Sequence, residues 1–201
     1  MKVTIIDYGA GNVPSVERAL QRLGAESKRT GTPEHISRAE ALLLPGVGHY
    51  SALVRALDEQ NMRAPLLDSI TRGVPFLGIC LGLQVLFESS AESPQLRGLN
   101  LLPGTVSALP SSVKLPHMGW NQLAVRRESQ LLAGIDSSAY FYFAHSYAAP
   151  DSNGSITATC FHGADFAAVV EQGNICGVQF HPEKSGDAGA RVLQNFLSMA
   201  A

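Results

Sequence analysis

Charge of one sign is missing from this sequence. Its 15 basic and 17 acidic residues leave a formal net charge of -2, and no basic run of the kind that tracks phosphates occurs, so nucleic acid is not an expected partner. Long hydrophobic runs are missing too. The apolar stretches break within about eight residues, far short of the ~20 that a bilayer span needs, so no membrane is expected. Met1-Lys2 runs directly into Val-Thr-Ile-Ile, without the apolar segment of about 7–15 residues and the cleavage site that mark a secretory signal. Cysteine is scarce. Cys80, Cys160 and Cys176 are far apart and odd in number, which fits a reducing cytoplasm better than a disulfide framework. No Cys-x-x-Cys or His-x-x-x-His pair occurs, so neither a zinc site nor any other metal or cofactor is expected. No phosphate-cradling Walker sequence occurs either.

What the chain does have is apolar content. At 201 residues and 45% hydrophobic, it can bury a core without a staple, and residues 1–201 read as a single domain. Lys2 to Asp7 is a β-branched run closed by the turn-like Tyr8-Gly-Ala-Gly-Asn12. From Pro14 to Leu23, apolar residues recur at Val16, Ala19, Leu20 and Leu23, the spacing of one helix face, and Gly24 stops that helix. Glu26 to Thr30, Ala41 to Leu44 and Val74 to Ile79 read as strands. Ser51 to Leu57, Pro65 to Arg72, Leu81 to Ser89 and Ala188 to Met199 read as helices. Near-continuously apolar strands alternating with helices predict an α/β fold of three layers, with a mixed, mainly parallel sheet flanked by helices. Strand signals crowd together in the second half, at Gly104 to Leu109, Leu123 to Arg127, Tyr140 to Tyr147, Ser155 to Phe161, Phe166 to Glu171 and Ile175 to Phe180. They are expected as antiparallel additions to that sheet. The stretches Ser89 to Pro94, Pro110 to Pro116 and Pro150 to Ser155 are expected as surface loops.

The chemistry concentrates at Val74-Pro-Phe-Leu-Gly78-Ile-Cys80-Leu-Gly82-Leu-Gln84, a strand, then Gly-x-Cys-x-Gly, then a helix. This is a nucleophile elbow with sulfur in place of a hydroxyl. Side chains at 78 or 82 would collide across so sharp a turn. The turn sets Cys80 at a helix N-terminus, where amide dipoles favour a thiolate, and the N–H of Leu81 faces the place where an oxyanion would form. A buried structural cysteine between two packing glycines is the plainer alternative, and the strand–turn–helix context weighs against it.

A cysteine nucleophile needs a base held by a third group. Of the six histidines, His35, His49 and His162 sit in polar or loop settings. His181 follows an apolar strand and precedes Pro182-Glu183. Proline keeps it extended, and residues two apart in an extended segment project to one side, so Glu183 can orient its ring. Cys160 and Cys176 read as small buried hydrophobes on strands.

Gly78-Ile-Cys80-Leu-Gly82-Leu-Gln84 and Gly177-Val-Gln-Phe-His181-Pro-Glu183-Lys184-Ser185 resemble the class I, triad-type glutamine amidotransferases, of flavodoxin-like architecture. Asp7-Tyr-Gly-Ala-Gly-Asn12, Pro116-His-Met-Gly-Trp-Asn121 and Tyr142-Phe-Ala-His-Ser-Tyr147 are similar, more narrowly, to the glutaminase subunits of imidazole glycerol phosphate synthases of histidine biosynthesis. The likeness runs from residue 3 to about residue 197. It implies that Cys80 attacks the side-chain amide of glutamine, that His181 is the acid/base and that Glu183 orients it. It also implies that Val47 or Gly48, in Pro45-Gly-Val-Gly48, supplies an oxyanion N–H beside that of Leu81. Gln84 and the His145-Ser146-Tyr147 stretch then hold the substrate. The implied partner is a (β/α)₈-barrel cyclase subunit, met as a heterodimer through a face that includes Asn12 and Lys184 and receiving ammonia directly. Without the resemblance, Gln84 reads as an ordinary polar helix residue, Tyr140 and Phe141 as strand packing and Lys184 as a solvated lysine. Leu83, where the family often has methionine, and His49-Tyr50, where a small residue and phenylalanine are more usual, depart from the pattern.

Other readings carry different expectations. Another glutaminase subunit of the class, such as one serving pyridoxal phosphate synthesis, would lack the Pro-His-Met-Gly-Trp-Asn string. A stand-alone γ-glutamyl hydrolase would need an open pocket and no partner. A silent scaffold would not need the Cys80, His181 and Glu183 set.

Overall fold

The structure is a computed structural model that describes residues 2–151 and 154–200. The middle of the loop expected over Pro150 to Ser155 lies outside the described residues. β1 (Lys2–Ile6) leads to α1 (Val13–Arg22), whose Val13, Val16 and Leu20 are buried. Gly24 at φ +73° ends that helix. Its N–H donates to the Gln21 carbonyl, and that of Ala25 to Leu20, the paired bonds of a Schellman cap. β2 (Glu26–Thr30), the short α2 (Pro33–Ser37), β3 (Ala41–Gly46), α3 (Tyr50–Glu59), α4 (Arg63–Thr71) and β4 (Phe76–Cys80) follow.

Every residue of β3 and β4 is buried, as expected for central strands covered on both faces. Alternate residues divide between two cores. Ala41, Leu43, Leu77 and Ile79 pack toward α1 and the C-terminal α6 (Gly186–Met199). Leu42, Leu44 and Phe76 pack toward α3 and α4. Burying a leucine, isoleucine or phenylalanine fully contributes about 1.5–3 kcal/mol, so these strands anchor all three layers.

Beyond β4 the chain departs from the sequence expectation. The helix expected over Leu81 to Ser89 is a single turn, α5 (Leu81–Gln84), and Phe87–Ser90 forms strand β5. The bulky, wholly buried Val85-Leu86-Phe87 run fits a packed strand entry better than an amphipathic helix. Of the later strands, β6 (Leu102–Ala108), β7 (His117–Gln122), β8 (Ala124–Val125), β9 (Tyr140–His145), β10 (Tyr147–Ala148), β11 (Ile156–Phe161), β12 (Asp165–Gln172) and β13 (Ile175–Val178), only some extend the main sheet. Its order is β2-β1-β3-β4-β13-β12-β11-β8. The first five strands are parallel, and antiparallel pairing begins at β13–β12. β5, β6 and β10 make a separate three-stranded sheet, and β7 with β9 a two-stranded one. The expectation that all late strands would be antiparallel additions to one sheet is thus corrected. β13 sits at its centre, parallel to β4, and four others leave it.

This topology gathers three loops. β3, β4 and β13 are parallel neighbours, so the segments after Gly46, Cys80 and Val178 emerge side by side at their carboxyl ends, the usual ligand edge of an open α/β sheet. The crossing is tight. A Cβ at Gly78 would fall on the Gly82 carbonyl, one at Gly82 on the Leu44 carbonyl, and one at Gly46 would lie 2.6 Å from Leu81 Cβ. Gly82→Ala is therefore expected to destabilise the fold by about 3 kcal/mol through overpacking against backbone. Urea denaturation would measure this, and an unchanged midpoint would show that the crossing is slack.

Candidate active site

Cys80 stands at the end of β4 with φ +55° and ψ −106°. A positive φ is rare outside glycine, and this ψ is far from the left-handed well near roughly +30 to +60°. The sharp turn expected from Gly-x-Cys-x-Gly is present and bends at the cysteine itself. The four-residue α5 gives little macrodipole, contrary to the longer helix expected. What the turn offers instead is local: helix-starting N–H groups, Leu81's first, that have no acceptor one turn back.

Cys80 and His181 line one pocket, and the Cys80 sulfur is near enough to act on the charge of the His181 ring. His181 Nδ1 lies 2.9 Å from Glu183 Oε1, with both side chains almost wholly buried. Residues 80 and 181 meet because β4 and β13 are adjacent, and this places sulfur and ring on the same edge of the sheet. Glu183 does not sit on an extended segment as expected. It rides a single 3-10 turn, Pro182–Lys184, and still reaches the ring. Burial pulls the His181 imidazole toward neutrality, but the hydrogen bonds and negative charge of Cys80 and Glu183 outweigh it and push the ring up to about 10. A ring this basic between a thiol and a carboxylate can take the thiol proton and return it later. Asn12, expected on a partner-facing loop, turns its amide inward and donates to Glu183 Oε1 at 3.3 Å.

Cys80 and His181, with Glu183 buried behind the ring, open into a pocket of about 280 Å³ lined by, among others, Val47, Gly48, Leu81, Gln84, Glu92 and the Ala144-His145-Ser146-Tyr147 segment. All the residues expected at an oxyanion or substrate site are thus brought to one place, with Lys184 at its wall. Another cavity of about 210 Å³, between Leu123 and Phe141, is mainly apolar, with Asp136 its one charged residue, so the chemistry lies in the first. Val47's N–H donates to the Tyr8 hydroxyl at 3.3 Å, so that amide is engaged in the loop's present conformation. Sequence reasoning missed Tyr8, Glu92 and Gln179. Glu92 had no pattern around it. It is held by the Tyr50 N–H at 2.7 Å, at the start of α3. Gln179 did carry a signal, an amide inside the apolar run before His181. Among the described residues no cluster of three His, Cys, Asp or Glu side chains could hold a metal ion, and no helix is long and apolar enough to cross a membrane.

Two buried histidines flank the pocket. His145 Nδ1 lies 2.8 Å from the Tyr147 carbonyl, which only accepts, so Nδ1 carries the proton. His145 Nε2 then accepts from His117 Nδ1 at 3.1 Å, and His117 Nε2 accepts from the Asn121 amide at 3.3 Å. Burial, reinforced by His162, drives His117 down to about 4; burial, reinforced by neighbouring histidines and opposed by the bond to Tyr147, drives His145 down to about 3. Both stay neutral while the unfolded chain protonates near 6.5, so stability present above pH 6.5 is lost as pH falls toward 4 and 3. His181 has the opposite sign. Its contribution is complete below 6.5 and disappears as pH rises through about 10, so it is constant in the acid window. Unfolding free energy is expected to drop between pH 6.5 and 5 with a slope approaching about 2.7 kcal/mol per unit, two protons' worth. His117→Gln should roughly halve that slope; an unaltered slope would mean that His117 is not the titrating group.

Comparison with known proteins bears on this geometry. The Glutamine amidotransferase class-I family model matches residues 4–200. The imidazole glycerol phosphate synthase subunit HisH of Methanothermobacter thermautotrophicus is 48% identical over 197 residues, covering 98% of each chain. That of Moorella thermoacetica is 47% identical over 195 residues, covering 96% of this chain and 93% of its own. A solved structure described as a glutamine amidotransferase has the same fold, with a TM-score of 0.79 over 98% of each chain at 21% identity. With a family match over nearly its full length and a thiol, imidazole and carboxylate gathered at one sheet edge, this chain belongs to the class I glutamine amidotransferases.

Proposed function

We propose that this chain, as one domain over residues 1–201, is the glutaminase subunit of an imidazole glycerol phosphate synthase and hydrolyses glutamine to supply ammonia for histidine biosynthesis. The observation that carries the reading is Cys80 beside His181 in an amino-acid-sized pocket, with Glu183 bonded to the far side of the ring. The relatives at 47–48% identity, which bear that subunit's name, support it.

With the thiol proton already held on His181, sulfur adds to the side-chain carboxamide carbon of glutamine, and Glu183 steadies the imidazolium. The N–H of Leu81, with that of Val47 or Gly48, meets the oxyanion. Collapse expels the amine, which takes the proton from His181 and leaves as ammonia, with a thioester on Cys80. Water, deprotonated by the same ring, then releases glutamate and restores the thiol. Glu92 is the carboxylate that can pair with the substrate's α-ammonium, while Gln84, His145, Ser146 and Tyr147 line the remainder of the pocket.

Ammonia released into neutral water is mostly protonated and no longer a nucleophile, so it must pass through protein. Beside the pocket, β7 presents Met118 and Trp120 at 65% and 55% exposure, and Tyr140 is 53% exposed on the paired strand. Lys184 Nζ lies 5.6 Å from the Tyr142 ring centroid on the same side. Aromatic residues and methionine at the rim of a reaction pocket suit a permanent protein partner. We assign this face, with Lys184, to a (β/α)₈-barrel cyclase subunit in a cytoplasmic heterodimer. No cofactor is called for by this chemistry.

The deciding experiment is glutamine hydrolysis with and without a purified cyclase subunit and its acceptor. Cys80→Ala is expected to lower it by at least about 10³-fold while ammonia-dependent synthesis by the partner continues; loss of both activities would speak against separate sites. The Val47–Tyr8 bond adds a second expectation. Tyr8→Phe frees the Val47 N–H, and hydrolysis by the isolated chain should rise by about tenfold, part of what an oxyanion donor is worth. Full-rate hydrolysis by the unaltered chain alone would sink the idea of a withheld donor.

A further inference from the structure

Gln179 lies two residues before His181, with no exposed surface. Its Nε2 is 3.5 Å from Cys80 Sγ, and its Oε1 accepts from Gln84 Nε2 at 3.1 Å. Gln84, 3% exposed, donates from the same nitrogen to the Tyr147 carbonyl at 2.7 Å.

The oxygen and nitrogen of a side-chain amide are told apart by their partners. Here the partners leave one arrangement. A backbone carbonyl accepts only, so Gln84 must turn its NH₂ to Tyr147. The second hydrogen of that NH₂ then points at Gln179, which must present oxygen in return. The NH₂ of Gln179 is thereby left facing the sulfur. Tyr147's other lone pair is occupied by His145 Nδ1–H, so the carbonyl that sets this polarity is itself pinned from the far side.

We propose that Gln179 is a further residue of the catalytic machinery, an amide whose N–H is aimed at Cys80 Sγ with its direction fixed by the Tyr147 carbonyl through Gln84. Gln84 and His145 act on the sulfur through it and are positioning residues. The proposal rests on Cys80 being the nucleophile and deepens that reading. When the thiol proton passes to His181, sulfur becomes negative in a buried site, and a fixed N–H dipole meets that charge without rearrangement. The same contact holds the side chain in the rotamer that faces the imidazole. Gln179 lines none of the pocket wall, so its effect falls on the reactivity of sulfur and not on substrate binding.

The test is alkylation of the isolated chain by iodoacetamide across a range of pH, followed on the Cys80 peptide by mass spectrometry. Buried Cys160 and Cys176 report any loss of structure. Gln179→Met, which keeps the bulk and removes the donor, should slow labelling of Cys80 by about tenfold and move the pH–rate profile to the alkaline side. Gln179→Glu, which sets a carboxylate oxygen against sulfur, should slow it further. A merely structural role would lower the melting temperature and leave that profile in place. Folded variants with an unaltered rate and profile overturn the proposal and leave the nucleophile assignment standing. An unaltered chain whose Cys80 resists the reagent at every pH removes both. Should neither Gln179 variant fold, Gln84→Met decides, because the unpinned Gln179 amide can then turn: a slower, alkaline-shifted reaction supports the proposal, and an unchanged one overturns it.

Discussion

Cys80 sits in a backbone conformation that an L residue avoids, at a cost of about 1–3 kcal/mol. It keeps that conformation because the chain on either side has nowhere else to go. β4 is hydrogen-bonded on both edges, to β3 and to β13, and α5 lies across β3 and β4 at glycines that leave no room for a side chain. The bend lifts the sulfur off the end of the sheet. Every other feature of the site follows from that position, since His181, the Pro45 to Gly48 loop and Gln179 all belong to strands neighbouring β4 or to the segments that leave them.

Within this frame, buried polar groups are fixed by direction as much as by distance. The Tyr147 carbonyl accepts two hydrogen bonds, and from these the tautomers of His145 and His117 and the orientations of Gln84 and Gln179 follow. Protonating His145 at Nε2 would set two donors against each other, and burial, the larger cause, keeps both rings neutral well below the ordinary histidine range. His181 differs because its neighbours are a thiol and a carboxylate, which reward the added proton. Three histidines in one small region thus hold different protonation states for reasons of partner chemistry, with burial common to all.

The parallel half of the fold was legible because its strands are apolar on both faces and its helices keep a 3.6-residue period, as in β3, β4 and α1. The nucleophile elbow was legible because its residue types are demanded by local geometry, and the His181–Glu183 pairing was legible from its spacing, although a 3-10 turn carries it and not the extended segment expected. Beyond Gln84 the signal weakens. The run from Leu81 to Ser89 is apolar enough for either a helix or a strand, and only the packing of Phe87 and Leu102 on neighbouring strands decides. β7 carries His, Met, Gly, Trp, Asn and Gln in succession, with no alternation of ordinary hydrophobicity, so no strand was read there. Glu92 reaches the pocket, and Tyr8 the Val47 N–H at its edge, through folding that brings distant loops together, which spacing along the chain does not encode.

That unread strand explains how one small sheet serves two surfaces. β7 pairs with β9 so that His117 faces His145, Met118 faces Ala144 and Trp120 faces Tyr142. Alternation turns His117 and Asn121 inward to the histidine chain and leaves Met118 and Trp120 to solvent. A slip of one residue would reverse every side chain of the strand, exposing His117 and turning Met118 and Trp120 inward. The inward hydrogen bonds, Asn121 to His117 and to the Phe161 carbonyl, hold the register in place. The polar face that orders the pocket is therefore also what keeps the apolar face turned outward, and neither can be altered in register without the other.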